Sequence, residues 1–222
     1  MSIQSNIQEL RKHIPSDVKL VCVSKFHPAE TVMEAYDAGE RIFGESRVQE
    51  LVQKQPELPA DIQWHFIGHL QTNKIKFIVL FVKLIHGVDS WKVLNEINKQ
   101  AEKAAKKTAC LLQVHIADEE TKFGFSEEEL IDLISGDEMI KLQNVQIAGL
   151  MGMATYTEDE NQVRKEFRSL KILFDKIKSE YFSDDDAFCE LSMGMSQDYQ
   201  LAIEEGCTMI RIGTSIFGER EY

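Results

Sequence analysis

Eight short, largely apolar runs recur along this chain, and a stretch with helical spacing follows each of the first seven. The runs at 18–24, 41–44, 62–67, 84–88, 109–116, 145–150, 187–191 and 209–212 predict strands, and the first, with Leu20-Val21-Cys22-Val23-Ser24 apolar or small in a row, reads as a buried strand of a parallel sheet. The intervening segments predict helices at 28–38, 47–55, from 73 onward, 91–107, after Ser126, 158–181 and 197–205, with one more opening the chain at 3–13. Asp89 and Ser90 supply cap oxygens for the 91–107 helix, and Ser126 does so for the next, where Glu127, Glu128 and Glu129 sit near its positive end. Eight strands alternating with helices predict a closed parallel α/β barrel, whereas a doubly wound sheet usually has fewer strands. With 222 residues and no linker or low-complexity tract, the chain is expected to form a single domain over 1–222, a (β/α)8 TIM barrel with an extra N-terminal helix. The acidic run 183–186 reads as a solvated turn.

The formal net charge of −12 leaves no basic face for a phosphate backbone or an anionic membrane, so neither nucleic acid nor membrane is an expected partner. Residues 1–14 hold no apolar signal core, and the apolar stretch 75–85 is short and broken by Lys76 and Lys83, so a cytoplasmic protein is expected. Cys22, Cys110, Cys189 and Cys207 form no C-x-x-C pair and read as small buried hydrophobes.

In such a barrel the chemistry belongs at the C-terminal strand ends. Lys25 closes the apolar run Leu20-Val21-Cys22-Val23-Ser24. It reads either as a solvated strand-ending charge or as an amine at a pocket mouth, where partial desolvation makes it a nucleophile toward aldehydes. The segment Arg211-Ile212-Gly213-Thr214-Ser215 follows the last strand, and Ser192-Met193-Gly194-Met195-Ser196 follows the seventh. Loops at these two positions often bind phosphate through backbone N–H groups, hydroxyls and a short helix N-terminus. A strand-end lysine together with a phosphate cup suggests pyridoxal 5'-phosphate (PLP), an aldehyde carrying a phosphate. His65 and His69 are four apart, but Gly68 and the strand character of 62–67 argue against the helical geometry a metal pair would need, so no metal site is expected. His115 reads as an inward, hydrogen-bonded strand-end residue, and Met151, Met153, Met193 and Met195 read as packing around a flat ligand.

Val23-Ser24-Lys25, Phe43-Gly44-Glu45, the run from Trp64 to Lys74, Ser192 to Ser196 and Arg211 to Gly218 resemble the pyridoxal phosphate homeostasis proteins, small relatives of the N-terminal barrel of alanine racemase. The likeness spans essentially the whole chain. It implies a PLP-binding barrel of fold type III with Lys25 as the Schiff-base lysine. It further implies Ser192, Gly213 and Thr214 at the phosphate, Arg211 facing the pyridine nitrogen, and Lys122 as a second lysine in cofactor transfer. A positive group at the ring nitrogen suppresses its protonation and weakens the ring as an electron sink. The family usually has asparagine near the ring where this chain has Ser46, so a water-bridged contact is expected there.

The resemblance implies a role in intracellular vitamin B6 homeostasis, with PLP held on Lys25, no defined turnover, and PLP-dependent apo-enzymes as recipients. The racemase draws its opposite-face acid/base from a second domain, for which this chain leaves only about ten residues past the last strand. A monomer without efficient racemase activity is therefore expected. The alternatives are a PLP-dependent amino-acid racemase or related enzyme, and a sugar-phosphate aldolase barrel, whose lysine more usually lies on a late strand.

Overall fold

A computed structural model describes residues 2–118 and 123–218. In chain order the elements are α1 (Ile3–Arg11), β1 (Lys19–Val23), α2 (Ala29–Asp37), β2 (Ile42–Glu45), α3 (Val48–Lys54), β3 (Gln63–Phe66), α4 (Ile75–Ile78), β4 (Leu84–Val88) and α5 (Trp91–Lys103). They continue with β5 (Thr108–Val114), α6 (Glu127–Ser135), β6 (Val145–Gly152), α7 (Glu160–Tyr181), β7 (Glu190–Ser192), α8 (Tyr199–Glu204), β8 (Met209–Ile212) and α9 (Thr214–Phe217). The strands are parallel and close in sequence order, because β1 pairs with β2 on one side and with β8 on the other. This is the barrel that the alternation of runs predicts, with α1 outside the repeat.

Successive strand residues face opposite sides, which divides the core in two. Leu20, Cys22, Phe43, Phe66, Ile85, Leu112 and Ile210 pack outward against the helices in one continuous cluster. Val21, Leu84, Leu111, Ala148, Met151 and Met209 form a second, smaller cluster that plugs the barrel interior. At the N-terminal end of the barrel, Lys19 Nζ donates to Glu190. Toward the C-terminal end the inward positions turn polar, with His65, His86, Ser192 and Arg211 all buried.

The departures from expectation have local causes. The helix expected from residue 73 is a 3-10 turn, Thr72–Lys74, and then only one α turn, since its β-branched and aromatic residues are poor helix formers. α5 stops at Lys103, and the chain reverses through Ala105 at φ 48° to enter β5. Ser90 occupies the N-cap of α5 without a capping bond, its hydroxyl donating instead to Asp89 Oδ1 at 3.2 Å. Ser126 does cap α6, in a reciprocal capping box with Glu129. β7 begins at Glu190, later than expected, which leaves Cys189 exposed while Cys22, Cys110 and Cys207 are buried. The acidic run at 183–186 is an exposed turn. No helix of the described residues is long and apolar enough to cross a membrane.

Candidate functional site

Strand β1 ends at Val23, and the turn that follows carries Lys25, half-buried, at the C-terminal rim of the barrel. His27 N–H closes this turn on the Ser24 carbonyl at 3.1 Å, and Phe26 takes φ 70°. Register places the β8 turn beside it. Cys22 pairs with Ile212, and a side chain added at Gly213 would come within 3.2 Å of the Val23 carbonyl. The His27 ring lies 5.0 Å from that of Phe217 in α9, which locks the two turns together. Asn6 on α1 adds a hydrogen bond to the Ile216 carbonyl at 2.9 Å.

Gly213 N–H points at Ser196 Oγ, 3.4 Å away, with Ser196 and Gly213 half-exposed and Thr214 exposed. These hydroxyl and amide donors line one patch of rim next to Lys25. Ser192 is placed differently. It is fully buried, and its Oγ is engaged by Arg211 Nη1 at 2.6 Å and by His86 Nδ1 at 3.1 Å. Arg211 also donates through Nη2 to the Gly152 carbonyl at 3.1 Å, and burial pulls its pKa down to about 10, so the guanidinium remains charged at neutral pH. His86 Nε2 is 3.0 Å from His65 Nδ1. Burial holds His65 at a pKa of about 3 and His86 well below the usual imidazole range, so both rings are neutral.

Ser46 is half-buried just past β2. A side chain at Gly68 would come to 2.3 Å from the Ser46 carbonyl oxygen, and one at Gly87 to 2.4 Å from the Gly68 carbonyl oxygen. Only glycine lets these three strand ends stack backbone on backbone. Beside them His69 Nδ1 bonds Asp89 Oδ2 at 2.8 Å, and its ring stacks on Phe123 at 4.3 Å. His65 and His69 thus point to different partners, and the described residues contain no cluster of metal-binding side chains. His115 is half-buried past β5, its N–H on the Phe125 carbonyl at 2.9 Å. Met151 and Met193 are core residues, while Met195 is exposed. Lys122 lies outside the described residues.

Lys25, Arg211, Gly213 and Thr214 therefore gather at one end of the barrel, with Ser46 on the neighbouring strand end. Sequence reasoning placed Ser196 in the same loop as Ser192 but singled out Ser192, whereas Ser196 is the hydroxyl beside Gly213. It also passed over His86, whose signal is a polar residue at an inward position, two after Leu84, in an otherwise apolar strand. A third omission is a buried group beneath the Lys25 turn, formed by Ser24, Glu45, Glu50 and Lys54.

An amine, a set of hydroxyl and amide donors and an interior guanidinium on one rim can together hold a small anionic ligand with an electrophilic carbon. Comparison with known proteins meets this geometry from the other side. The family described as alanine racemase, N-terminal domain, matches residues 1–221. A pyridoxal phosphate homeostasis protein of Aquifex aeolicus is 43% identical over 205 residues, covering 92% of this chain and 88% of its own length. The solved structure of PipY from Synechococcus elongatus, with PLP bound, superposes with a TM-score of 0.88 at 37% identity, covering 98% of this chain and 100% of that one. Alanine racemase from Bartonella henselae shares the fold at 18% identity and a TM-score of 0.76, and this chain spans 63% of it. With its barrel, its rim lysine and these relatives, the chain belongs to the alanine racemase N-terminal domain family and, within it, to the pyridoxal phosphate homeostasis proteins.

Proposed function

We propose that this protein binds PLP and serves its intracellular homeostasis, holding it as a Schiff base on Lys25 and passing it on without turning over a substrate of its own. The observation that carries this reading is the lock between two turns. Gly213 abuts Val23 and His27 packs on Phe217, so the amine that condenses with an aldehyde and the donors that suit a phosphate share one rim. The donor set fits the cofactor. Ser196 Oγ, Gly213 N–H and Thr214 are the accessible phosphate ligands, and Ser192, being buried under Arg211, fixes that guanidinium instead. Bound there, PLP would supply an aldehyde carbon with which the Lys25 amine can condense, with loss of one water. Arg211 only donates hydrogen bonds, so it would keep a ring nitrogen set against it unprotonated, which would favour holding over carbanion chemistry. Relatives named for homeostasis point the same way. We read the protein as a cytoplasmic, single-domain monomer that delivers PLP to apo-enzymes, with Lys122 aiding the transfer and Ser46 reaching the ring through water.

Absorbance of the purified protein incubated with PLP, before and after borohydride, tests the assignment. A visible band that borohydride abolishes, with the reduced adduct mapped to Lys25 by mass spectrometry, is the expected result. A band that persists in Lys25→Ala would sink it. Proton exchange at the α-carbon of amino acids in deuterated water separates the enzymatic alternative, which robust exchange with one amino acid would establish.

A further inference from the structure

Lys25 is bracketed by two residues whose backbone is gripped from outside the barrel. Lys54, the last residue of α3, is 6% exposed and donates to three acceptors: the Ser24 carbonyl at 2.9 Å, Glu45 Oε1 at 2.7 Å and Glu50 Oε1 at 2.6 Å. An ammonium has three N–H groups, so all are committed. The two carboxylates extend the grip. Glu45 Oε1 accepts the Ser24 hydroxyl at 2.7 Å, and Glu50 Oε1 accepts the Phe26 amide N–H at 2.6 Å. The residue before Lys25 is thus held at its carbonyl and hydroxyl, and the residue after it at its amide.

Two further features show that this arrangement is not the cheapest way to fill the space. Phe26 sits at φ 70°, in the left-handed region that a bulky residue avoids, and it stays there under the Glu50 bond with the Arg47 guanidinium 4.7 Å over its ring. Glu45 is fully buried, and its second oxygen has no hydrogen-bond partner among the described residues. A buried ion pair is often replaceable by apolar side chains of similar volume without loss of stability. A grip on both neighbours of one lysine therefore answers to position more than to stability.

We propose that Lys54 is a positioning residue for Lys25, fixing the turn so that the Lys25 amine meets the cofactor's aldehyde carbon. The proposal rests on the reading of Lys25 as the cofactor lysine. Lys54 acts through Ser24, Glu45 and Glu50 and does not touch the ligand.

The test compares two ligands. PLP reports covalent capture, scored by borohydride trapping over time. Pyridoxine 5'-phosphate has the same ring and phosphate but an alcohol in place of the aldehyde, so it reports binding alone. Replacing only Lys54 would strand a buried carboxylate, so the variant is Lys54→Met with Glu45→Gln. We expect capture to slow by about tenfold or more, pyridoxine phosphate affinity to stay near wild type, and Lys54→Arg to recover most of the rate. Glu50→Ala, at a partly buried position, releases the Phe26 amide and one N–H of Lys54 while leaving the bonds of Lys54 to Ser24 and Glu45, and is expected to slow capture in the same direction even if the double variant folds poorly. Unchanged capture, or an equal loss for both ligands, overturns the proposal. If wild-type protein fails to capture PLP at all, the cofactor reading falls and takes this one with it, and that outcome is recognised before any substitution is made.

Discussion

Glu45 concentrates the electrostatic cost of this site in one carboxyl. Burial raises its pKa to about 7 against the opposing pull of Lys54 and Ser24. A carboxyl raised in the folded state binds protons that the unfolded chain has already released, so folding is favoured below the ordinary carboxylate range and loses stability as pH rises toward about 7. The loss expected is on the order of 3 kcal/mol. Urea melts across this window should show the slope in wild type and a flatter profile in Glu45→Gln; parallel profiles would refute the assignment. Residues of this kind are hard to see in a sequence. Glu50 and Lys54 are spaced i,i+4, like any solvated helix pair, and only packing on the barrel buries Lys54. Lys25 was easier, because an apolar run that ends in lysine places the residue at a strand end from its own pattern.

At the scale of elements, the rim depends on loops that approach closer than side chains allow. Gly68 and Gly87 let the ends of β2, β3 and β4 stack, with the Ser46 carbonyl at the base of the stack. Gly68→Ala would drive its new carbon into backbone that cannot swing aside. It should cost about 2–3 kcal/mol in chemical denaturation and weaken PLP binding, whereas a neutral outcome would show that the strand ends can separate. Boundaries were legible where turn chemistry is local. β4 and β8 run as their apolar residues predict, and α6 starts at its Ser126–Glu129 box. They were not legible where tertiary closure decides. Nothing in the lysine- and alanine-rich run after Lys103 forbids helix, yet the chain must turn there to reach β5. Likewise the apolar residues at 187–189 precede β7, whose pairing to β6 starts at Glu190.

Across the whole molecule, Arg211 on β8, Ser192 on β7, His86 on β4 and His65 on β3 make one hydrogen-bonded chain through the barrel interior. Arg211 donates to Ser192 Oγ; a Ser192 hydroxyl that in turn donates to His86 Nδ1 would set His86 to donate from Nε2 to His65 Nδ1. Nitrogen-15 spectra of the histidine rings should show both protonated on Nε2 and unchanged from about pH 5 to about pH 8. Signals from Nδ1–H or from imidazolium would reverse the chain. None of this was readable from the motifs, because the four residues come from four strands that only closure brings together.

That closure has a consequence for how the protein is made. The Lys25 turn and the Gly213 turn are neighbours in space but stand near opposite ends of the sequence, joined because β1 pairs with β8. During synthesis the Lys25 turn emerges well before the Gly213 turn. A growing chain therefore carries the Lys25 turn without its neighbour until β8 docks on β1. A ligand held by both turns would staple the seam, and by mass action would favour the molecules in which the ring of strands is complete.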